Sequence, residues 1–161
     1  LPLTFKRRLY NLTLTNYSKN ELLDIIFIEL NGTRMGNNVT DFLIEYLGGT
    51  ASEAAHLGRE IDGFCNLNGT SSFSLDNAKE LIDTLGMYEH GLASLHLKVL
   101  ENLALNQEGL TLTRLAAKMG LTRAAQTDCE RELIKHDLMD IDGKRIISLK
   151  GLRYLKKNLN L

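Results

Sequence analysis

Three short clusters carry side chains suited to holding a polyanion: Thr122-Arg123 with Gln126-Thr127, the pair Lys144-Arg145, and Lys150 with Arg153. Guanidinium and carboxamide groups can bond base edges, while hydroxyls and ammonium groups hold phosphate oxygens. With Ala125, Cys129 and Leu133 read as the buried face of one helix, Arg123, Gln126 and Thr127 lie outward. Lys144, Arg145, Lys150 and Arg153 would neutralise phosphates without reading sequence. Asp128, Glu130 and Glu132 share the helix and would repel phosphate, so a protein-binding surface stays open as the alternative.

Other chemistries find no support in the sequence. No Gly-x-x-x-x-Gly-Lys-Ser/Thr phosphate loop is present. His56, His90, His96 and His136 are scattered, without metal-ligand spacing. No Ser-His-Asp arrangement stands out. The chain alone is expected to catalyse nothing, to hold no metal and to bind no ATP. Cys65 and Cys129 lack partner motifs, which fits a reducing cytoplasm. No apolar run reaches the roughly 20 residues of a membrane span, and no signal segment opens the chain. Charge divides unevenly. Residues 1–92 hold seven Lys/Arg against twelve Asp/Glu, and residues 93–161 hold twelve against eight. A basic C-terminal half is the usual electrostatic footprint of a nucleic-acid contact.

The elements that must position these groups follow from caps and periodicity. Ser18-Lys19-Asn20-Glu21 and Thr50-Ala51-Ser52-Glu53 have capping-box spacing. They open helices to about Leu30 and Leu67. A helix from about Asn38 to Leu47 lies between them, and Ser74 caps a fourth. Together these form a small bundle over 18–88. Gly86 to Gly91 is the boundary. A helix spans Leu92 to Leu105, and Thr111 or Thr113 starts a short one. Gly120-Leu121 turns the chain, and Thr122 caps a longer helix to about His136. That order is a helix-turn-helix. Asp142-Gly143 is a two-residue hairpin signal between Met139/Ile141 and Ile146/Ile147, the place of a wing. Residues 150–161 read as a last basic helix. The fold class expected is mainly α: a four-helix bundle followed by a winged helix-turn-helix over 89–161, whose part from about 92 onward should fold alone.

This order of motifs resembles the C-terminal part of RuvB, the AAA+ motor of Holliday-junction branch migration. Leu1-Pro2-Leu3 through Arg7-Arg8-Leu9 is similar to the family's Pro-Leu-Arg-x-Arg-Phe segment. Tyr17 to Leu22 resembles the start of its lid, and Gly49-Thr50 the opening of its Gly-Thr-Pro-Arg motif. Ser74 to Gly91 resembles its last lid helix and linker. Gly109-Leu110-Thr111-Leu112 with Leu115-Ala116-Ala117 is similar to its Gly-Leu-x-x-Leu-Ala-Ala. Glu130, Leu133 and Ile134 fit its Glu-Pro-Tyr-Leu-Ile, and Arg145-Ile146-Ile147 with Tyr154-Leu155 its closing segment.

The resemblance implies that 1–17 ends an upstream ATPase domain, 18–88 is a helical lid and 89–161 is a DNA-binding winged helix. It implies an ATP-dependent DNA helicase of recombination and repair for the complete protein, with ATP and Mg as cofactors. Duplex or branched DNA would be the partner and a homo-oligomeric ring the assembly, with no membrane. It also implies that Arg7, with Arg8 beside it, reaches the nucleotide of the next subunit. A guanidinium suits that role because it stays charged and binds phosphate bidentately. The sequence departs from the family twice. Ser52 stands where the lid's sensor arginine is found, and the wing reads Asp140-Ile141-Asp142-Gly143-Lys144-Arg145, less basic than the family's. An origin-recognition-type AAA+ fragment and a winged-helix regulatory or protein-interaction module are the alternatives.

Overall fold

The computed structural model describes residues 17–159, so Arg7, Arg8 and the rest of 1–16 lie outside the described residues. The first half is built from capped helices. Ser18 accepts from the Glu21 amide at 3.3 Å, and Glu21 accepts from the Ser18 amide at 2.7 Å. This reciprocal cap starts helix α1, Lys19–Glu29. Helix α2, Val39–Leu43, continues as a 3₁₀ turn over Ile44–Tyr46 rather than as one long helix. Thr50 and Glu53 cap α3, Ala51–Leu67, and Ser74 with Asn77 caps α4, Leu75–Thr84. Asp62 of α3 accepts from the Asn31 amide, Thr33 Oγ1 and Asn66 Nδ2, which ties the loop after α1 to α3. Two-residue strands β1, Arg34–Met35, and β2, Ser72–Phe73, pair in parallel across the bundle.

The second half opens with β3, Met87–Tyr88, and β4, Leu92–Ala93, paired antiparallel around a 3₁₀ turn at Glu89–Gly91. Helices α5, Ser94–Ala104, α6, Leu112–Met119, and α7, Arg123–Lys135, follow. Thr111 caps α6, and Gly120 ends it in the left-handed region at φ +66°. The hairpin of β5, Met139–Asp142, and β6, Lys144–Ile147, precedes the last helix, α8, Leu149–Leu159. Its register runs from Met139 opposite Ile147 to Asp142 opposite Lys144, so Gly143 alone stands between the strands rather than a two-residue loop. The architecture is mainly α, a lid-type bundle followed by a winged helix.

Buried apolar side chains gather in two clusters. Leu22, Ile26, Leu43, Leu57, Ile61 and Phe73 belong to one. Leu97, Leu100, Leu103, Leu115, Leu133 and Tyr154 belong to the other, which begins at Leu92 and has Tyr88 packed against it. The turn that begins the second half is tied to the last helix. The Tyr154 hydroxyl donates to the Glu89 carbonyl at 2.9 Å, and Lys157 pairs with the Glu89 carboxylate. Gly91 lies so close to Gly48 that a Cβ on it would stand 2.3 Å from the Gly48 Cα, and its φ is +72°. A side chain there is excluded twice over.

The segment 87–161 is expected to fold alone, because it keeps the second cluster together with Glu89. Within it, Tyr154→Phe removes one half-buried hydrogen bond, about 1 kcal/mol. Its melting midpoint should fall by about 4–8 °C. Circular-dichroism melts check both points; a non-cooperative melt of the segment, or an unchanged midpoint in the variant, contradicts them.

Candidate nucleic-acid interface

Helix α7 is the second helix of the turn motif, the one that enters a groove by its N-terminal end. Thr122 caps that end by accepting from the Ala125 amide at 3.2 Å. Thr122 and Arg123 are exposed there. The Thr127 hydroxyl instead donates back to the Arg123 carbonyl at 2.8 Å.

Gln126 requires a correction. It was expected outward, with Ala125 inward, yet Gln126 is 0% exposed while Ala125 is exposed. The cause is Glu130, one turn on and only 3% exposed at its side chain. Gln126 Nε2 donates to Glu130 Oε1 at 3.1 Å, so a carboxylate inside the domain draws the amide inward. The Gln126 carbonyl oxygen has no partner. Gln126 is therefore placed to hold Glu130, not to read a base.

Arg145 completes this group. Its Nε donates to both Glu130 oxygens, at 3.2 and 3.1 Å, and its side chain is 17% exposed. Its backbone exchanges two hydrogen bonds with Leu110, at 3.0 and 2.7 Å. Arg145 thus joins the wing, α7 and the strand entering α6 at one point. Gly109 makes the close seating possible, since a Cβ there would meet Ile146 Cγ2 at 2.8 Å and its φ is +76°.

These contacts fix where the wing points. β5 leaves α7 at its C-terminal end, but Arg145 reaches Glu130, seven residues before Asp137 and about 10 Å back along the helix. The hairpin runs back along α7, and its tip heads toward the Thr122 end. Lys144 at the tip is exposed, its ammonium 3.2 Å from the Glu108 carbonyl. Lys150 sits elsewhere. It pairs with Asp137 at 3.4 Å, beyond the C-terminus of α7. A helix of 13 residues is about 20 Å long, so Lys150 does not join Lys144 and Arg123. Arg153 follows on α8, exposed and without an ion pair among the described residues.

The carboxylates of α7 turn out to be paired: Asp128 with Arg131 at 3.0 Å, Glu132 with Lys135 at 3.1 Å and Glu130 with Arg145. That weakens their repulsion of phosphate. Two cations escaped the sequence reading: Arg114 and Lys118, exposed on α6. The first helix of a helix-turn-helix crosses the nucleic-acid backbone, and that geometry is the signal that could have found them.

The start of α3 presents a carboxylate rather than a cation. Ser52 is exposed at the place of the sensor arginine. Glu53 accepts from Thr50, and its carboxylate lies against Gly48, where a built Cβ would be 2.7 Å from Oε2. Lys135 reaches the Gly48 carbonyl at 3.4 Å but is held by Glu132. A carboxylate at this end does not fit a triphosphate.

Comparison with known proteins agrees with this architecture. No family model matches the chain. The Holliday junction branch migration complex subunit RuvB of Campylobacter fetus is 29% identical over 141 residues, 84% of this chain and 40% of that protein. The structure of the Thermotoga maritima RuvB Holliday junction branch migration motor superposes with a TM-score of 0.77, at 19% identity, over 89% of this chain and 50% of that one. A point mutant of the same protein gives 0.79 at 20% identity, over 97% of this chain and 54% of that one. The chain thus shares the fold of these structures, a helical bundle followed by a winged helix, and it spans about half their length. No helix among the described residues is long and apolar enough to cross a membrane.

Two histidines make stability pH-dependent. Burial lowers the pKa of His96, whose Nδ1 accepts from the Ala93 amide at 3.0 Å. Burial and the neighbouring His90, stacked at 4.5 Å, lower that of His136. The unfolded chain takes up these protons first, so stability is full above the ordinary value of 6.5 and declines as pH falls through it toward the folded values. Melting midpoints should drop between pH 7.5 and about 5.5, and less steeply in His136→Gln. Equal slopes in the two proteins would refute the assignment to His136.

Proposed function

We propose that this chain is the lid and DNA-gripping winged helix of a RuvB-like branch-migration motor acting in DNA recombination and repair. One observation carries the reading. The Arg145–Glu130 pair draws the wing back along α7 in the direction of the capped N-terminus with Thr122 and Arg123, and Lys144 is exposed at the wing's tip. A helix N-terminus flanked by cations suits phosphate, and Arg123 is placed to reach a base edge. Arg114 and Lys118 on the preceding helix extend the contact along the backbone of the nucleic acid. Lys150 and Arg153, at the far end of α7 and on α8, take no part in the primary contact.

In this reading the partner is duplex or branched DNA in the cytoplasm. ATP and Mg act in an ATPase domain of the complete protein, and the working assembly is a ring in which Arg7 or Arg8 serves the neighbouring subunit. The likeness in sequence and fold to proteins named for Holliday-junction branch migration supports it.

The test is equilibrium binding of the chain to a duplex and to a four-way junction across a salt series. Affinity should fall with salt at a slope of about −0.9 per neutralised phosphate. Lys144→Ala should weaken binding to all sequences alike and flatten the slope by about one unit. Arg123→Ala should weaken binding as well, and Lys150→Ala should leave it within twofold. No binding at low salt, or a larger loss from Lys150→Ala than from Lys144→Ala, would sink the proposal.

A further inference from the structure

The cationic wing residue nearest α7 is turned inward, to a carboxylate of that helix. Arg145 spends its Nε on Glu130, which in turn takes the Gln126 amide, and its backbone is fixed to Leu110 on both sides. The carboxylate it holds is among the few buried polar side chains of the described residues. A two-stranded ribbon this short is marginal by itself; Leu110 and Glu108 hold it on one side, and the Glu130 pair is the side-chain bond that holds it to α7. Ile141 on the opposite strand is half-exposed, and Asp142 and Gly143 are exposed, so apolar packing does not fix the tip.

We infer that Glu130, Arg145 and Gln126 form a clasp that sets the angle between wing and recognition helix, and that Arg145 serves DNA binding as a positioning residue rather than as a phosphate contact. A guanidinium N–H shared between both oxygens of one carboxylate is suited to this. It defines direction as well as distance, which an apolar pair of the same size does not. The role of the clasp in binding rests on the proposed DNA reading; its role in holding the wing does not.

The opposing view makes Arg145 an ordinary phosphate ligand and Glu130 a liability. The two views differ in sign. Removing a carboxylate from a DNA-binding face strengthens binding if the group only repels phosphate. If Glu130 holds the wing, Glu130→Gln weakens it, by about tenfold. Arg145→Met should weaken binding by a similar factor without changing the salt slope, because no phosphate contact is lost. A slope flattened by about one unit in Arg145→Met would make Arg145 a direct contact and overturn the inference.

Single variants strand a buried partner and are open to partial unfolding. The double variant Glu130→Leu/Arg145→Met replaces the pair by apolar groups, a change that buried ion pairs usually tolerate. In the full chain, spin labels at Arg123→Cys and Asp142→Cys report the distance from helix start to wing tip. Cys129 does not compete for label, since burial pushes its thiol up to about 11. The parent should give one narrow distance distribution. The double variant should stay folded and give a distribution at least twice as broad. An equally narrow distribution in the double variant overturns the clasp. Failure of the unsubstituted chain to bind DNA, with the broadening still seen in the labelled double variant, would reject the DNA reading and leave the clasp standing.

Discussion

A carboxylate that has lost its water must be paired, and Glu130 meets that demand from two directions. Arg145 comes from the wing and Gln126 from one turn earlier in the same helix. Losing one partner of such a buried pair costs about 3–5 kcal/mol, a large share of the stability of a domain this size. The rest of the winged helix follows from this constraint. Arg145 must stand level with Glu130, so the hairpin must fold back along α7. β6 then presents its edge to Leu110, which pairs with it before α6 begins. Only glycine fits at position 109 between that strand and the wing.

The joint between the halves is the turn at Glu89–Gly91, which the last helix holds from one side and Gly48 meets from the other. Glu89 offers its carbonyl to Tyr154 and its carboxylate to Lys157, while Gly91 lies against Gly48. Burial raises the pKa of the Tyr154 phenol, so it remains a donor. Gly48 adjoins the cap of α3, and Lys135 at the end of α7 bonds its carbonyl. The start of the long lid helix and the end of the recognition helix therefore share one turn of chain.

Local chemistry made much of this legible in the sequence. Ser18, Thr50, Ser74 and Thr122 each cap the helix that their spacing announces, because a cap needs only residues three positions away. Asp142-Gly143 marks the wing for the same reason. What escaped depends on distant partners. Gln126 was placed outward because polarity was read as exposure and Ala125 as core, whereas the decisive fact is a carboxylate brought in to meet Arg145. The pairs β1–β2 and β3–β4 are two residues long, too short for any periodicity to show. Lys150 and Arg153 are near the wing in sequence, but the reversal of the hairpin leaves Lys150 at the opposite end of α7. Chain proximity gives no hint of that.

The central claim is that the wing tip and the start of α7 act together on one ligand. Chemical-shift mapping of the labelled chain against a short duplex tests it most directly, since each backbone amide reports separately. The account predicts the largest changes at Thr122, Arg123 and Lys144, smaller ones at Arg114 and Lys118, and little at Lys150, Arg153 or α1. Changes centred on α8, or confined to the lid helices, would contradict it.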